Sequence, residues 1–210
     1  MTDRFSQLLG ALGQELPGGD DGAHDLAHIR RVWANARRIS AEEGGDIDVL
    51  AAAVLLHDCV HVEKSSPLRG QASRLAAERA AAILAGHGWD AAVVARVAHA
   101  IEAHSFSAAI RPESLEARVL QDADRLDAIG YIGIARCFYT AGRMGSALYH
   151  DADPAAVGRL LDDRAFALDH FRAKLLQLAD GFQTAAGARM AQERTAVLEA
   201  FVVGFEAEIS

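Results

Sequence analysis

Apolar residues recur three or four positions apart along most of this chain, which is the spacing of one face of an α-helix. Between residues 24 and 43, for example, Leu26, Ile29, Val32 and Ile39 fall on one stripe. No strand-like alternation of useful length interrupts the pattern. We therefore expect an all-α fold with roughly eight helices. The helical pattern covers about residues 2–15, 24–43, 47–61, 70–86, 90–104, 113–128, 131–139, 155–179 and 183–208.

Three segments of the chain carry further predictions about its fold. The helix expected at 47–61 is apolar nearly all round, which is typical of a central, buried helix. The segment 142–154 is the longest irregular stretch, and long loops in compact domains often serve as lids or binding loops. The C-terminal helices within 155–208 either pack on the core or form a dimer contact, so a homodimer stays open.

Composition narrows the class of protein. The 210 residues fit one domain of ordinary size, with its core at about 20–180. Hydrophobic residues make up 51% of the chain and aromatic residues only 6%, so the core is mainly aliphatic, which favours helix. The net charge of −8 argues against a nucleic-acid polymer as partner, because such proteins usually carry a basic face.

The sequence also predicts a location. No apolar run approaches the ~20 residues needed to span a membrane, and the first residues lack a signal-peptide profile. Cys59 and Cys137 lie in apolar stretches without a Cys-x-x-Cys pair, which predicts free thiols in a reducing compartment. We expect a cytoplasmic protein with no membrane partner.

Candidate chemistry concentrates at His57-Asp58, which directly follows the apolar run from Val49 to Leu56. Burying an unpartnered polar group costs on the order of 2–7 kcal/mol, and burying a charge costs more. Neighbouring residues on a helix are about 100° apart, so both side chains can converge on one ion. Imidazole and carboxylate together suit divalent first-row metals. The pair therefore predicts a metal site rather than a satisfied core pair.

Two further candidate ligands lie on either side of this pair in the sequence. His28 belongs to the buried stripe of the helix at 24–43, and Asp124 belongs to an acidic cluster embedded among apolar residues. Such clusters are usually solvated, but the apolar neighbours place part of this one beside the core. Together with His57 and Asp58 they make a set of two imidazoles and two carboxylates. Such a set leaves open positions on a six-coordinate ion for water and a substrate oxygen.

These motifs resemble the HD-domain phosphohydrolase superfamily, whose signature is His…His-Asp…Asp on an all-helical fold. The resemblance covers roughly residues 20–180 and is nearest to the small stand-alone bacterial HD hydrolases. It implies a single HD domain over 1–210, with a divalent metal ion bound by the four residues of that set. The segments that carry it are Leu56-His-Asp-Cys-Val60, Ala103-His-Ser-Phe-Ser107, Gln121-Asp-Ala-Asp-Arg-Leu-Asp-Ala-Ile-Gly130 and Arg136-Cys-Phe-Tyr-Thr-Ala-Gly-Arg-Met-Gly145.

The resemblance also implies an activity. Relatives of this group include nucleoside triphosphate pyrophosphohydrolases, which release pyrophosphate and usually prefer manganese. We therefore expect a metal-dependent phosphohydrolase acting on a nucleotide, with Mn²⁺ as the first choice of ion and Mg²⁺, Co²⁺ or Fe²⁺ as alternatives.

Catalytic and substrate-binding roles can be assigned along the chain. Asp58 serves catalysis as well as metal binding. His61 lies four residues after His57, on the same face if the helix continues, and could act as a general acid. Lys64 could neutralise a phosphate as a point charge. The expected substrate contacts are His24, Lys64, His104, Arg125, Asp127 and Arg143.

Three alternatives stay open at this point: a nucleotide monophosphatase on the same site, a two-iron HD oxygenase, and a non-catalytic metal-binding sensor domain. The oxygenase needs at least two further His ligands. His99 and His104 are five positions apart, about 140° round a regular helix, so both reach the site only if the helix ends between them. We expect one metal, with His99 in the core and His104 facing the substrate or the metal-bound water.

Overall fold

The computed structural model describes residues 4–16, 26–62, 66, 68–105 and 108–209, and within these ranges the chain forms nine α-helices and no β-strand. The all-α prediction is confirmed, with one helix more than the rough count. The helices are α1 (Arg4–Leu12), α2 (Leu26–Glu43), α3 (Ile47–Leu56), α4 (Ala72–Gly86), α5 (Ala91–His104), α6 (Leu115–Leu126), α7 (Gly130–Met144), α8 (Ala167–Ala173) and α9 (Ala185–Glu208). No helix in these ranges is long and apolar enough to cross a membrane.

Contacts within the chain define two compact units, Met1–Asp124 and Arg125–Ser210. The centre of the first unit is α3, in which every residue from Val49 to Leu56 is fully buried. This helix packs against α1, α2, α4 and α5. The prediction of a central, buried helix is therefore confirmed, and the burial of α3 fixes the position of the residues that follow it.

A polar network holds the N-terminal end of α3. Asp46 caps the helix by accepting hydrogen bonds from the backbone N–H groups of Asp48 and Val49. Arg96 on α5 donates to both Asp46 and Glu116, and the Asp46 N–H also donates to Glu116 on α6. Burial alone would raise the pKa of Glu116, but these hydrogen bonds hold it below its usual value. The network joins α3, α5 and α6 at one end.

The other end of α3 differs from the prediction, because the helix ends at Leu56 instead of continuing to residue 61. His57 and Asp58 lie in a turn, which the Cys59 N–H closes by donating to the Leu56 carbonyl. The expectation that the pair is spaced 100° apart on a helix is therefore wrong. The helical relation expected between His57 and His61 is lost with it.

The second unit is built on α7, α8 and α9. Aromatic rings from these helices and from the chain after α7 form a cluster, with neighbouring ring centroids 5.3–5.9 Å apart. The rings belong to Phe138, Tyr149, Phe171, Phe201 and Phe205. Phe171 is fully buried and the other four rings are half-buried around it, an aromatic cluster that the low aromatic content of the whole chain does not suggest.

Three predictions for this unit differ from the structure. α7 continues to Met144 rather than ending at 139, and the irregular stretch lies at 145–166 rather than 142–154. The helix expected at 155–179 is absent. In its place α8 covers only Ala167–Ala173, and a 3₁₀ helix follows at Leu175–Gly181.

Side-chain acceptors hold residues 145–166 in their non-helical form. Asp169 on α8 is fully buried and accepts two hydrogen bonds from the Arg159 guanidinium, at 2.5 and 2.7 Å, and one from the Asp162 N–H at 2.7 Å. Asp153 accepts two further backbone N–H groups. Burial alone would raise the pKa of Asp169, but the bonds from Arg159 and Asp162 lower it below its usual value. Backbone donors that a helix would use are thus satisfied by carboxylates.

Asp169→Asn should lower the free energy of unfolding by about 2 kcal/mol at pH 7, because the half-buried Arg159 guanidinium and a backbone donor lose a fully buried, ionised acceptor. Urea unfolding measures the effect, with Asp163→Asn as control, since Asp163 is 43% exposed in its side chain. The folded protein holds the pKa of Asp169 below the ordinary value of an aspartate, which is about 3.9. Its contribution is therefore present above that pH and lost below it, so the two proteins should converge in acid. Equal stability at pH 7 would contradict this role.

Candidate metal centre

Four side chains from three distant segments of the chain meet within the first unit. His28 comes from the first turn of α2, His57 and Asp58 from the turn after α3, and Asp124 from the last turns of α6. The His28 Nε2 atom is 3.3 Å from His57 Nε2 and 3.4 Å from Asp124 Oδ1. The His57 Nε2 atom is 3.4 Å from Asp58 Oδ2. The structure therefore brings together all four residues of the predicted ligand set.

The orientation of the imidazoles suits a cation. His57 Nδ1 donates to the Val54 carbonyl at 2.8 Å, which leaves Nε2 as an acceptor facing the other three side chains. Nitrogen and carboxylate lone pairs that point at one another repel unless a proton or a cation lies between them. The ligand atoms of His28, His57 and Asp58 all lie within 4.8 Å of one another, as ligands of one metal ion must. The residues present fit a divalent metal ion.

Exposure differs between the two kinds of ligand. His28 and His57 are each 1% exposed, whereas the side chains of Asp58 and Asp124 are 36% and 31% exposed. The imidazoles thus form the buried side of the site and the carboxylates its open side. Water and a small molecule can approach from the carboxylate side.

Two buried amides support the ligands, and sequence reasoning missed both. Asn35 on α2 donates through Nδ2 to the carbonyl of Ala123, the residue before Asp124, at 3.0 Å. Gln121 on α6 donates through Nε2 to the Ala103 carbonyl at 2.8 Å. Each amide thus joins two of the helices that supply site residues. A polar residue within an apolar helical stripe is the signal that could have identified them.

His104 is the additional imidazole at the site. It is the last residue of α5, it is buried, and its Nδ1 donates to the Ile101 carbonyl at 2.5 Å. Its Nε2 lies 4.0 Å from Asp58 Oδ1, and its ring centroid lies 5.1 Å from that of His57. Burial, reinforced by the charge of His57, lowers the pKa of His104, although the nearby carboxylates act in the opposite direction.

His99 does not have the place predicted for it. It is half-buried rather than in the core, and its Nε2 accepts a hydrogen bond from the Glu113 N–H at 3.1 Å. α5 continues past it to His104. His99 and His104 could both face the site only if the helix ended between them. Because it does not, only His104 reaches the site.

The remaining predicted site residues lie elsewhere or outside the described ranges. His24 and Lys64 fall outside the described residues, and His61 is exposed beyond the turn. The other three belong to the second unit: Arg125 donates to the Gly181 carbonyl and stacks on Phe182, Asp127 accepts from Arg136, and Arg143 lies over the Tyr139 ring. Their roles toward a substrate stay predictions.

Comparison with known proteins gives the family. The HD-domain profile matches residues 25–129, which is half of the chain. The uncharacterised protein YpgQ of Bacillus subtilis is 34% identical over 200 residues, covering 93% of this chain and 89% of YpgQ. The chain therefore belongs to the HD-domain family, as the sequence motifs predicted.

Solved structures agree with this assignment. The crystal structure of Bacillus subtilis YpgQ in complex with ADP has a TM-score of 0.75 at 32% identity, over 98% of this chain and 94% of that one. An HD-superfamily hydrolase from Bacillus thuringiensis has a TM-score of 0.71 at 31% identity, also over 98% and 94%. The chain thus has the fold of HD-superfamily hydrolases and carries a candidate site for a divalent metal ion.

Asp58→Ala should abolish the stabilisation that Mn²⁺ gives to the protein while leaving its helical content unchanged. A ligand at 100 times its dissociation constant stabilises the folded state by about 2.7 kcal/mol, so the wild type should show a clear rise in Tm. Thermal unfolding with and without Mn²⁺, with circular dichroism for helicity, makes the measurement. Asp151→Ala is the control, because Asp151 is an exposed carboxylate outside the site. An equal rise in the Asp58 variant would show that this site does not hold the ion.

Proposed function

We propose that this protein is a metal-dependent phosphohydrolase that cleaves nucleoside triphosphates to a nucleoside monophosphate and pyrophosphate. The observation that carries the proposal is the convergence of His28, His57, Asp58 and Asp124, closed on the imidazole side and open on the carboxylate side. A structural ion would be enclosed by protein ligands, whereas a catalytic site keeps an open side. The open side therefore favours catalysis over the sensor alternative.

A nucleotide is the substrate class with most support. The YpgQ structure contains ADP, and YpgQ and this chain share 32% identity over nearly their whole lengths. A divalent ion in this donor set would supply an acidified water and would neutralise charge on a phosphoryl oxygen. A mixed set of nitrogen and carboxylate oxygen ligands suits Mn²⁺, the ion we propose.

The chain's own residues complete the reaction. In pyrophosphate release, water adds to the α-phosphorus and the bond to the bridging oxygen of the β-phosphate breaks. We assign Asp124 to orient the attacking water, because it lies on the open side. We propose His61, which is exposed three residues after Asp58, as the acid that protonates the leaving oxygen. We propose Lys64 as a cation for the polyphosphate on the basis of the sequence.

We also propose a cytoplasmic location for this protein. Cys59 and Cys137 are both free, and burial raises the pKa of each thiol to about 11. Such thiols are mostly protonated at neutral pH and suit a reducing compartment. They support the cytoplasmic location that the sequence predicts.

The wild type should release pyrophosphate from nucleoside triphosphates in the presence of Mn²⁺, and EDTA should abolish the reaction. A panel of tri-, di- and monophosphates with Mn²⁺, Mg²⁺ or Co²⁺, with pyrophosphate resolved from orthophosphate, makes the test. Asp58→Ala should lower kcat by at least about 1,000-fold, since both a ligand and transition-state charge stabilisation are lost. Orthophosphate from monophosphates would instead indicate the monophosphatase, and no hydrolysis by a metal-loaded protein would favour the sensor or the oxygenase.

His104→Gln should lower kcat by about 10- to 100-fold, because the His104 Nε2 atom faces the site. The Mn²⁺ affinity should change little, because His104 is not one of the four proposed metal ligands. Steady-state kinetics and Mn²⁺ titration separate the two effects. His99→Gln is the matched control on the same helix and should leave both near the wild-type values. If His104→Gln loses the metal as completely as His57→Gln does, then His104 is a ligand and its assignment to the substrate or water is wrong.

A further inference from the structure

We propose that the two buried side-chain amides of the first unit, Asn35 and Gln121, are positioning residues with separate tasks. Asn35 positions the metal ligand Asp124, and so sets the affinity for the ion. Gln121 positions His104, and so acts on turnover rather than on metal binding. The task of Gln121 rests on the proposed function, whereas the task of Asn35 rests only on the metal centre.

Asn35 holds the peptide group that leads into Asp124. Its Nδ2 donates to the Ala123 carbonyl at 3.0 Å, and the bond is buried. A peptide group is planar, so a carbonyl that is fixed in place also fixes the N and Cα atoms of the next residue. That next residue is Asp124. The amide on α2 therefore places the Cα atom from which a ligand carboxylate extends.

The same bond joins Asp124 to the helix that carries His28. Asn35 and His28 are both buried on α2, about two turns apart and on one face of the helix. His28 Nε2 lies 3.4 Å from Asp124 Oδ1. Two ligands from different helices keep this spacing only if the helices are held together nearby, and the bond from Asn35 does so one residue before the carboxylate.

Gln121 acts in the same way on His104. Its Nε2 donates to the Ala103 carbonyl at 2.8 Å, in another buried bond. Ala103 lies in the last turn of α5, where the helix supplies no N–H partner for its carbonyls. The planar peptide group passes this constraint to the Cα atom of His104, while the bond from His104 Nδ1 to the Ile101 carbonyl orients the ring.

The two tasks are separable because each amide holds a different peptide group. Without the Gln121 bond, the end of α5 is released while Asn35 still holds the peptide before Asp124. Without the Asn35 bond, a ligand is released while the Ala103 carbonyl keeps its donor. Residues that orient a site without binding the metal typically change metal affinity or activity about 10- to 100-fold. A merely structural role predicts instead that both variants lose affinity and turnover together.

The full-length protein tests this division with one variant of each amide. Asn35→Ala should raise the dissociation constant for Mn²⁺ about 10- to 100-fold and leave kcat at saturating Mn²⁺ within about threefold of the wild type. Gln121→Met keeps the length of the side chain but removes the donor. It should lower kcat about 10-fold and change the Mn²⁺ dissociation constant by less than about twofold. Electron paramagnetic resonance of free Mn²⁺ gives the affinity, and pyrophosphate release gives kcat.

Gln177→Met is the matched control. The Gln177 amide also donates to a backbone carbonyl, that of Arg172 at 2.9 Å, but the residue is exposed and belongs to the second unit. The same substitution there should leave both the Mn²⁺ affinity and kcat near the wild-type values.

A double variant tests whether Gln121 acts through His104. Adding Gln121→Met to His104→Gln should lower kcat no further, since the position of an absent imidazole no longer matters. NMR of isotope-labelled histidine in the metal-free protein, at one fixed pH, gives a readout independent of activity. The His104 signal, assigned by its loss in His104→Gln, should shift in Gln121→Met and not in Gln177→Met.

Equal losses of Mn²⁺ affinity and kcat in the two amide variants, a further drop in the double variant, or an unmoved His104 signal would overturn the proposal. If the wild type hydrolyses no nucleotide, the proposed function fails, but the Mn²⁺ titration and the NMR signal still decide what the two amides hold. Asn35→Ser and Gln121→Asn, which keep a shorter polar group, replace any variant whose circular dichroism shows that it does not fold.

Discussion

The complete burial of α3 from Val49 to Leu56 is the constraint on which the rest of the site depends. A helix that is apolar on every side must be surrounded by other helices, and four of them pack against it. The first polar residue after it, His57, consequently lies buried inside the first unit, with Asp58 beside it on the open side of the site. Because desolvated polar groups need partners, neighbouring helices must deliver matching side chains to that point. His28, Asp124 and His104 are the side chains delivered.

Positioning of this accuracy comes from bonds at both ends of the helices. At one end, Arg96 joins Asp46 before α3 to Glu116 on α6. Near the metal ligands, the side-chain amides of Asn35 and Gln121 donate hydrogen bonds to backbone carbonyls next to site residues. A ligand set built on rigid helices and held by such bonds is already close to its metal-binding geometry, which reduces the ordering cost of taking up an ion.

Sequence reasoning succeeded where one periodic signal dominated. The stripe of α2 placed His28 on the buried face, and the uninterrupted apolar run of α3 identified both the central helix and the location of the His57-Asp58 pair. Prediction from the sequence failed where side chains compete with the backbone for hydrogen bonds. Residues 155–166 have enough apolar positions to suggest a helix, but Asp153, Asp162 and Asp169 satisfy the backbone and Arg159 in another conformation. Such hydrogen bonds from side chains leave no signal in the spacing of apolar residues. The same limitation hid Asn35 and Gln121, whose partners lie 88 and 18 residues away.

Two histidines of the site, His57 and His104, are oriented in the same way. His57 donates to the carbonyl three residues before it, Val54, and His104 does the same to Ile101. Each imidazole is therefore oriented by a carbonyl in the last turn of its own helix. The last turns of α3 and α5 belong to the core, with Leu56 and Ile101 fully buried, so a shift large enough to move either ring must also disturb the core. The geometry of the site is therefore tied to the packing of the fold, and an ion that spans several helices would strengthen both.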